Sequence, residues 1–392
     1  MKYIHKEISN TIAEIYKSKK QIRFLHKPIL RNKEKKILGK VVDSSMVSSI
    51  GAYVRKFEKK IENFTKARHA ICLSSGTSAL HISLILSGVK ENDEVLIPKF
   101  NFIASTNASL YLKAVPHFVD CSKKTLCIDL YKLERYLSKI CIKKGKKTLN
   151  RETNRQIKAC IPTYSFGHSF DIVKLKSICK KYNITLIEDS AEALGTFHKK
   201  KHVGTFGKFG ILSFNGNKII TTGGGGAILT NDNFLAKKAR HISNVSKVLK
   251  KFDTLHNQIG YNYKMTNLNA AIGYTQIDNL NKIINKKNQL NKYLIKRTKK
   301  YNEYFEIYKQ YNDDNCNNWM QLLIIKNKKI KITELLNLLN KKNIQSKKSW
   351  PDIDKLDFLK KFPKMKIGKN DDFFSRIILL PSNDFEFLKN EK

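Results

Sequence analysis

The 392-residue sequence contains no long apolar run. A membrane-spanning helix needs roughly 18 consecutive apolar residues, and the apolar residues of this chain come in much shorter groups. The N-terminal segment MKYIHKEISNTIAEIYKSKK lacks the apolar stretch and the small-residue cleavage site of a secretory signal, whereas its isoleucines at 4, 8, 12 and 15 have helical spacing. We therefore expect an N-terminal helix, no membrane insertion and a cytoplasmic protein.

The sequence also lacks paired cysteines. Its seven cysteines are scattered and include no C-x-x-C pair, so neither a disulfide framework nor a metal site is predicted. Hydrophobic residues make up 41% of the chain, which is enough to form a sizeable core in a protein of this length.

Acidic residues are scarce, since 33 Asp and Glu stand against 75 Lys and Arg, and the formal net charge is +42. Such a charge can indicate a nucleic-acid or anionic-membrane partner. The excess, however, is mostly Lys spread along the whole chain, without the Arg clusters and interleaved aromatics of a base-stacking surface. A compositional bias produces the same pattern, so we predict a solvated basic surface and no specific nucleic-acid partner.

Short apolar segments alternate with helical ones from residue 69 onward. Strand-like HAICL, EVLIP, VPHFV, ACIPT and ITLIE are separated by helical patterns such as TSALHISLIL and DIVKLKSICKKY. This alternation predicts βαβ units and an α/β fold with a mainly parallel sheet flanked by helices. The polar, basic segment 143–155 is predicted to be a surface loop between two core elements.

The pattern becomes helix-rich after Gly260, with a strand-like MQLLIIK and a helical ITELLNLLN. A smaller α+β domain fits this change. We therefore expect a helical extension over residues 1–22, a large α/β domain over 23–260 and a small C-terminal α+β domain over 261–392.

Two segments at predicted strand ends could bind a ligand. Residues 74–78 (SSGTS) lie between a strand and a helix, where free N–H groups and the helix dipole attract anions. The alternative is a plain helix N-cap. Residues 188–192 (EDSAE) follow ITLI, at the carboxyl edge where parallel sheets bind ligands, and the alternative is again an N-cap, by Asp189.

Lys218 lies in an Asn/Gly turn between two apolar strands, in the run ILSFNGNKIITTGGGG. This position directs its side chain into a confined, partly dry space, which favours an amine that can bond covalently to a carbonyl carbon. The four glycines that follow could hold a phosphate, but Lys218 precedes them, unlike the Lys of a P-loop. A tight return between strands is therefore the preferred interpretation of the glycines.

The order of SSGTSALH, EDSAE, SFNGNK and GYNYKMTNLNAAIG resembles the DegT/DnrJ family of nucleotide-sugar aminotransferases, which depend on pyridoxal 5'-phosphate (PLP) and have fold type I. The resemblance runs from FLHKPI near residue 24 to about residue 280. Within the family, the chain looks most like the LegC-type branch, which acts on UDP-linked keto amino sugars. The similarity lies in the extra N-terminal helix and in the segments VSSIGAYVRKFE and SFNGNKIITTGGGG.

The resemblance implies roles for four residues around the PLP ring. Lys218 would hold the cofactor covalently and act as the proton-shuttling base, and Asp189 would pair with the protonated ring nitrogen so that the ring can accept electrons. Glu192 falls where the family contacts the phenolic oxygen of the ring. Phe102 falls where an aromatic side chain stacks on the ring, although an ordinary core position is its alternative.

Four further positions match residues that bind the cofactor phosphate. Gly76, Thr77 and Ser213 correspond to the phosphate cup, and Asn262 to a residue that reaches the phosphate of the neighbouring subunit. The resemblance therefore implies a homodimer with shared active sites.

The chain departs from the family pattern at two places. Lys264 stands where the family usually has Arg, and residues 347–350 (KKSW) replace an Arg-Pro ahead of Trp. Lysine keeps the charge but loses the bidentate geometry of Arg, which affects substrate contacts. The His that replaces the cofactor Lys in dehydratases of this fold is absent, so transamination is favoured.

The implied reaction moves an amino group from an amino acid, by resemblance L-glutamate, to the 4-keto group of a nucleotide-linked 6-deoxy sugar for surface-glycan biosynthesis. A UDP-linked N-acetylamino sugar is the expected substrate. The alternatives are a GDP-linked 4-keto-6-deoxy sugar, as in perosamine synthesis, and a non-catalytic polyanion-binding or regulatory protein on the same fold.

Overall fold

The computed structural model describes residues 2–18, 21–311, 314–366 and 372–383. The helices, in chain order, are α1 Lys2–Ile15, α2 Asn32–Asp43, α3 Ala52–Thr65, α4 Gly76–Leu86, α5 Ala104–Leu110, α6 Leu130–Ile140, α7 Ile172–Lys181, α8 Asn233–Ile242, α9 Asn267–Gln276, α10 Leu280–Thr298 and α11 Ile332–Lys341. Within these described ranges, no helix has both the length and the apolar character needed to cross a bilayer.

The strands are mostly short. In chain order they are β1 His69–Leu73, β2 Glu94–Pro98, β3 Val115–Val119, β4 Cys141–Lys144, β5 Lys147–Asn150, β6 Ile157–Cys160, β7 Thr185–Asp189, β8 Phe197–His198, β9 Lys201–His202, β10 Phe209–Ser213, β11 Gly226–Thr230, β12 Lys247–Leu249, β13 Thr254–His256, β14 Phe305–Ile307, β15 Gln321–Ile325, β16 Lys347–Lys348 and β17 Ile377–Leu380.

Seven of these strands form the central sheet, in the order β1-β11-β10-β7-β6-β2-β3. Strand β11 runs antiparallel to both of its neighbours, and the remaining pairs are parallel. Alternate residues face opposite helix layers: Val95 packs in the cluster with α4 and α8, whereas Leu96 packs with α6 and α7. The predicted α/β fold with a mainly parallel sheet is confirmed.

A second sheet, β14-β15-β17-β16, forms a separate core with α1, α10 and α11. Ile8, Ile12 and Ile15 of α1 are buried in this core together with Leu335 and Leu339 of α11. The helical pattern at the N-terminus therefore has an apolar stripe that the C-terminal part of the chain covers. The predicted domain boundaries stay a prediction; α9, beyond residue 260, packs against α2 and α3.

The segment 143–155 is not the predicted surface loop, because it contains most of the β4–β5 hairpin. Its residues Asn150 and Thr153 donate hydrogen bonds of 3.0 and 2.5 Å to the buried carboxylate of Glu94. Nδ1 of His117 lies 2.8 Å from the same carboxylate, and its Nε2 lies 2.9 Å from the Tyr136 hydroxyl. The prediction failed because part of the segment's polarity serves a buried hydrogen-bond network.

This network sets a pH dependence of stability. Burial would raise the pKa of Glu94, but the hydrogen bonds from His117, Thr153 and Asn150 outweigh burial and lower it. A carboxylate with a lowered pKa in the folded state stabilises the fold above its unfolded-state pKa of about 4.3, and this contribution is lost as the pH falls through the folded-state value.

We expect Glu94→Gln to lower the free energy of unfolding by about 1–3 kcal/mol at pH 7, because it leaves buried donors without their acceptor. The difference from the wild type should shrink below about pH 4. Urea denaturation at both pH values measures this, with exposed Glu91→Gln as the control. An unchanged unfolding midpoint for Glu94→Gln at pH 7 would show that the network contributes nothing.

Candidate active site

A cavity of about 850 Å³ lies where the carboxyl edge of the central sheet faces the second sheet. Residues that follow β1, β2, β6, β7 and β10 form one wall, and residues around β15 and β16 form the other. Seven of the eight sequence-predicted site residues line it, namely Gly76, Thr77, Phe102, Asp189, Glu192, Ser213 and Lys218. The eighth, Asn262, is exposed outside the cavity, with its backbone bridged to Asn244.

The side chain of Lys218 is only 12% exposed and lies among charged and aromatic groups. Its Nζ is 3.0 Å from Oε1 of Glu192 and 4.3 Å from the ring centroid of Trp319. The indole N–H of Trp319 donates a 2.8 Å hydrogen bond to the carbonyl of Asn217. The turn that carries Lys218 is therefore held from the opposite wall of the cavity.

Glu192 is buried and is held at both oxygens. Its Oε2 accepts a 2.8 Å hydrogen bond from the backbone N–H of Phe166, a non-glycine residue with a left-handed φ of 56°. Burial raises the pKa of Glu192, and the charge of Lys218 and the Phe166 N–H oppose this rise. Strained backbone at Phe166 is thus tied directly to a charged group of the cavity.

Asp189 ends β7 in the middle of the sheet edge, and its carboxylate is buried. Oδ2 accepts a 2.7 Å hydrogen bond from the Ser105 hydroxyl, and Oδ1 accepts one of 3.2 Å from the N–H of Ala191. Burial raises the pKa of Asp189, against these hydrogen bonds and the charge of Lys218. A cationic group beside the carboxylate would offset the cost of burying it.

The N-terminus of α4 is both capped and open to the cavity. Ser75 caps it by accepting a 3.0 Å hydrogen bond from the N–H of Ser78. The N–H groups of Gly76 and Thr77, in the first turn, have no intrahelical acceptor. The helix-cap and anion-site interpretations of residues 74–78 are therefore compatible. Ser75 caps the helix, and Gly76 and Thr77 leave N–H groups available for an anion.

Glycine permits two close approaches at this helix end. A Cβ on Gly226 would overlap the backbone of Ser75 and Gly76, and a Cβ on Gly76 would lie 3.1 Å from Cβ of Ser213. Gly224 and Gly225, interpreted from the sequence as a tight return, also line the cavity. The glycine run thus shapes the wall as well as turning the chain.

Phe102 lies in the cavity opposite two residues of the KKSW segment, Lys347 and Trp350. Phe102 is 53% exposed, which rules out the core alternative, and its ring centroid is 6.3 Å from that of Trp350. Trp350 stacks on Phe166 with centroids 4.4 Å apart. Exposed Lys347 also lines the cavity, whereas Lys264 is bridged through its backbone to Leu73 at the end of β1.

Several lining residues were not identified from the sequence, among them Trp319, His26, Asn101 and Thr163. Both amide atoms of Asn101 and the hydroxyl of Thr163 are buried without a hydrogen-bond partner in the described part of the chain. Such groups are costly unless a ligand or water completes them. Only Trp319 had a sequence signal, as one of two tryptophans beside a predicted strand.

These residues fit PLP. Gly76, Thr77 and Ser213 line the cavity at the α4 N-terminus, where free N–H groups suit a phosphate, and the amine of Lys218 lines the same cavity. Asp189 offers a buried carboxylate with no cationic side chain in contact among the described residues. In the described residues, no three His, Cys, Asp or Glu side chains are grouped to hold a metal ion.

Comparisons with known proteins agree with this geometry. Residues 28–385 match the model of the DegT/DnrJ/EryC1/StrS aminotransferase family. GDP-perosamine synthase of Escherichia coli O157:H7 is 36% identical over 266 residues, 68% of each chain. UDP-4-amino-4,6-dideoxy-N-acetyl-beta-L-altrosamine transaminase of Campylobacter jejuni is 33% identical over 257 residues, 65% of this chain and 64% of the relative.

The fold comparison agrees as well. The structure of Helicobacter pylori PseC, an aminotransferase involved in the biosynthesis of pseudoaminic acid, superimposes with a TM-score of 0.83 at 25% identity. The match covers 94% of this chain and 97% of PseC. The chain therefore belongs to the DegT/DnrJ/EryC1/StrS aminotransferase family and is a PLP-dependent sugar aminotransferase.

Proposed function

We propose that this enzyme transfers an amino group from L-glutamate to the 4-keto group of a UDP-linked N-acetylamino 6-deoxy sugar for surface-glycan biosynthesis. The observation that carries the proposal is the convergence of Lys218, Glu192 and Asp189 in one cavity of about 850 Å³. A cavity of this size, within the usual range for ligand sites, has room for a sugar beside the cofactor. Lys347 on the facing wall adds a cation for a diphosphate.

A GDP-linked 4-keto-6-deoxy sugar is the second candidate. It is favoured by the similarity to GDP-perosamine synthases of Escherichia coli and Vibrio cholerae, at 36% and 35% identity. The UDP-linked sugar is favoured by the Campylobacter jejuni relative, whose name specifies a UDP-linked N-acetylated amino sugar.

When bound, PLP supplies an electron sink for the charge left after a C–H proton is removed. Nζ of Lys218 lies in a confined space where it could move a proton from Cα of the amino donor to the cofactor in the first half-reaction, and from the cofactor to C4 of the sugar in the second. The carboxylate of Asp189, oriented by Ser105, would hold the proton on the ring nitrogen. Glu192 orients the Lys218 amine, and the N–H groups of Gly76 and Thr77, with the Ser213 hydroxyl, would bind the phosphate.

The role of Asp189 can be tested with Asp189→Asn, which keeps the size of the side chain and can still accept from Ser105. We expect aminotransfer to fall by at least about a hundredfold, because a neutral amide does not keep the ring nitrogen protonated. Borohydride reduction and peptide mass spectrometry should still place a pyridoxyl group on Lys218 in both proteins. Near wild-type turnover would remove Asp189 from the reaction, and labelling of another Lys would remove Lys218.

We also propose that the working unit is a homodimer in which Asn262 reaches the cofactor phosphate of the neighbouring subunit. In support, Asn262 is exposed and lies outside its own cavity. The β12–β13 hairpin and the loop after it expose apolar side chains close by in the sequence, including Phe252 at 88% and Ile259 at 83%. Clustered exposed apolar residues of this kind are typical of protein interfaces.

Mixing two inactive variants tests the shared site. Lys218→Ala chains and Asn262→Ala chains should each lose most activity alone, and co-refolded mixtures should regain up to about a quarter of the wild-type rate, since random pairing makes half of the dimers hybrids with one intact site. The measurement is the aminotransfer rate, with sedimentation to establish the dimer. A fully active monomer would end this proposal.

The substrate is tested by mass spectrometry of products from a panel of UDP-, GDP- and dTDP-linked 4-keto-6-deoxy sugars with L-glutamate as donor. We expect kcat/KM for the UDP-linked N-acetylamino sugar to exceed that for the GDP-linked sugar by at least about tenfold, or about 1.4 kcal/mol. Lys218→Ala is the control for uncatalysed amination. A preference for the GDP-linked sugar would support the perosamine-type alternative.

A further inference from the structure

The buried side chain of Lys287 is not explained by the reaction described above. It lies on α10, whose exposed face carries Lys282 and Lys292, yet it falls on the buried face with Ile283, Leu290 and other apolar residues and is fully buried itself. Burial lowers the pKa of Lys287 well below its ordinary value. A Lys at an apolar position is costly, so its contacts must offset the cost.

The contacts of the Lys287 amine are all with neutral groups in the described structure. Nζ donates hydrogen bonds of 2.9 Å to the carbonyl of Trp319, 2.8 Å to the carbonyl of Ser382 and 2.7 Å to Oγ of Ser382, and it lies 3.3 Å from Nε2 of His26. The Ser382 hydroxyl itself donates a 2.6 Å hydrogen bond to the Trp319 carbonyl. One amine thus joins three distant segments of the chain.

Two of the residues that it holds line the active-site cavity. His26 and Trp319 both lie on the wall that faces Lys218. The Trp319 ring lies 4.3 Å from Nζ of Lys218, and its indole N–H holds the carbonyl of Asn217, the residue before Lys218. Trp319 therefore lies between the two amines in space, since its carbonyl contacts Lys287 and its ring contacts Lys218.

We propose that Lys287 is a positioning residue for the aminotransfer: by fixing the backbone of Trp319, it holds the indole ring against the amine of Lys218. With PLP bound, the Lys218 amine would be free of the cofactor for part of each half-reaction, and in the structure the free amine lies between the indole face and the Glu192 carboxylate. Cation–π contacts of this kind contribute modestly but measurably to such a state. The proposal rests on the proposed role of Lys218.

A purely structural role for Lys287 and a positioning role predict different experimental outcomes. If Lys287 only joins α10 to its neighbours, its loss lowers stability without changing the surroundings of Trp319 or the rate of the folded enzyme. If it positions Trp319, both the indole environment and the catalytic rate change, and they change through Trp319.

The first arm uses the cofactor-free protein, so it does not depend on activity. Trp319 and Trp350 are the two tryptophans of the chain, so Trp350→Phe leaves Trp319 as the sole tryptophan, and excitation near 295 nm avoids the tyrosines. In that background we expect Lys287→Met to move the Trp319 emission to longer wavelengths and to increase quenching by acrylamide. Lys282→Met, on the exposed face of the same helix, should change neither.

The second arm measures kcat and KM of the PLP-loaded enzyme with native Trp350. Lys287→Met should lower kcat roughly three- to thirtyfold, with KM for the amino donor changed less than about threefold. In a Trp319→Leu background, Lys287→Met should have little further effect on kcat, because residues that act through one contact are not additive. Ser382→Ala, a milder change at the same contact, should act in the same direction and covers the case in which Lys287→Met does not fold.

The proposal is overturned if folded Lys287→Met, or Ser382→Ala in its place, shows unaltered Trp319 fluorescence and kcat. It is also overturned if the effect on kcat is as large in the Trp319→Leu background as in the wild type. Failure of the proposed role of Lys218 would be seen separately, as borohydride labelling at another Lys, and it would leave the fluorescence result intact.

Discussion

The contact between the Lys218 ammonium and the Glu192 carboxylate organises the cavity, because burying either charge alone would cost several kcal/mol. Glu192 accepts the Phe166 N–H at its other oxygen, and its backbone carbonyl accepts a 2.8 Å hydrogen bond from the side chain of Asn317. Asn317 in turn accepts from the N–H of Trp319, just before β15. A single acidic residue therefore links the central sheet to the wall built by the second sheet.

The antiparallel strand β11 has a specific consequence for the phosphate end of the site. Because β11 runs opposite to β10 and β1, its first residues lie at the edge where those strands end. Glycines 224–226 therefore meet the N-terminus of α4, and Gly226 lets the helix end approach without a Cβ in the way. An all-parallel sheet would place a strand's carboxyl end here, with no reason for a glycine run at this position.

The local part of the site could be predicted from the sequence, and the distant part could not. Strand–turn–helix patterns placed segments 74–78 and 188–192 at the ends of predicted strands, where parallel sheets bind ligands, and the turn between two apolar strands singled out Lys218. Trp319 and His26 come from segments far from these motifs and reach the cavity only through the packing of the second sheet. The hairpin at 141–150 was missed for a related reason: its polar residues pair with Glu94, and such pairing leaves no periodic signal.

The two walls of the cavity differ in how closely their residues follow the motifs of the family. The sheet-edge wall carries the motifs shared with the family, and it also holds the unpaired polar groups of Asn101 and Thr163, whose burial is tolerated where a ligand completes their hydrogen bonds. The facing wall carries Lys347, in a short edge strand, and Trp350 just after it, where the chain departs from the Arg-Pro of the family pattern. A side chain on such an edge can change without disturbing the cofactor contacts. Changes in selectivity for the sugar nucleotide are therefore expected at Lys347 and Trp350, on the wall opposite the sheet edge that carries Asp189 and Lys218.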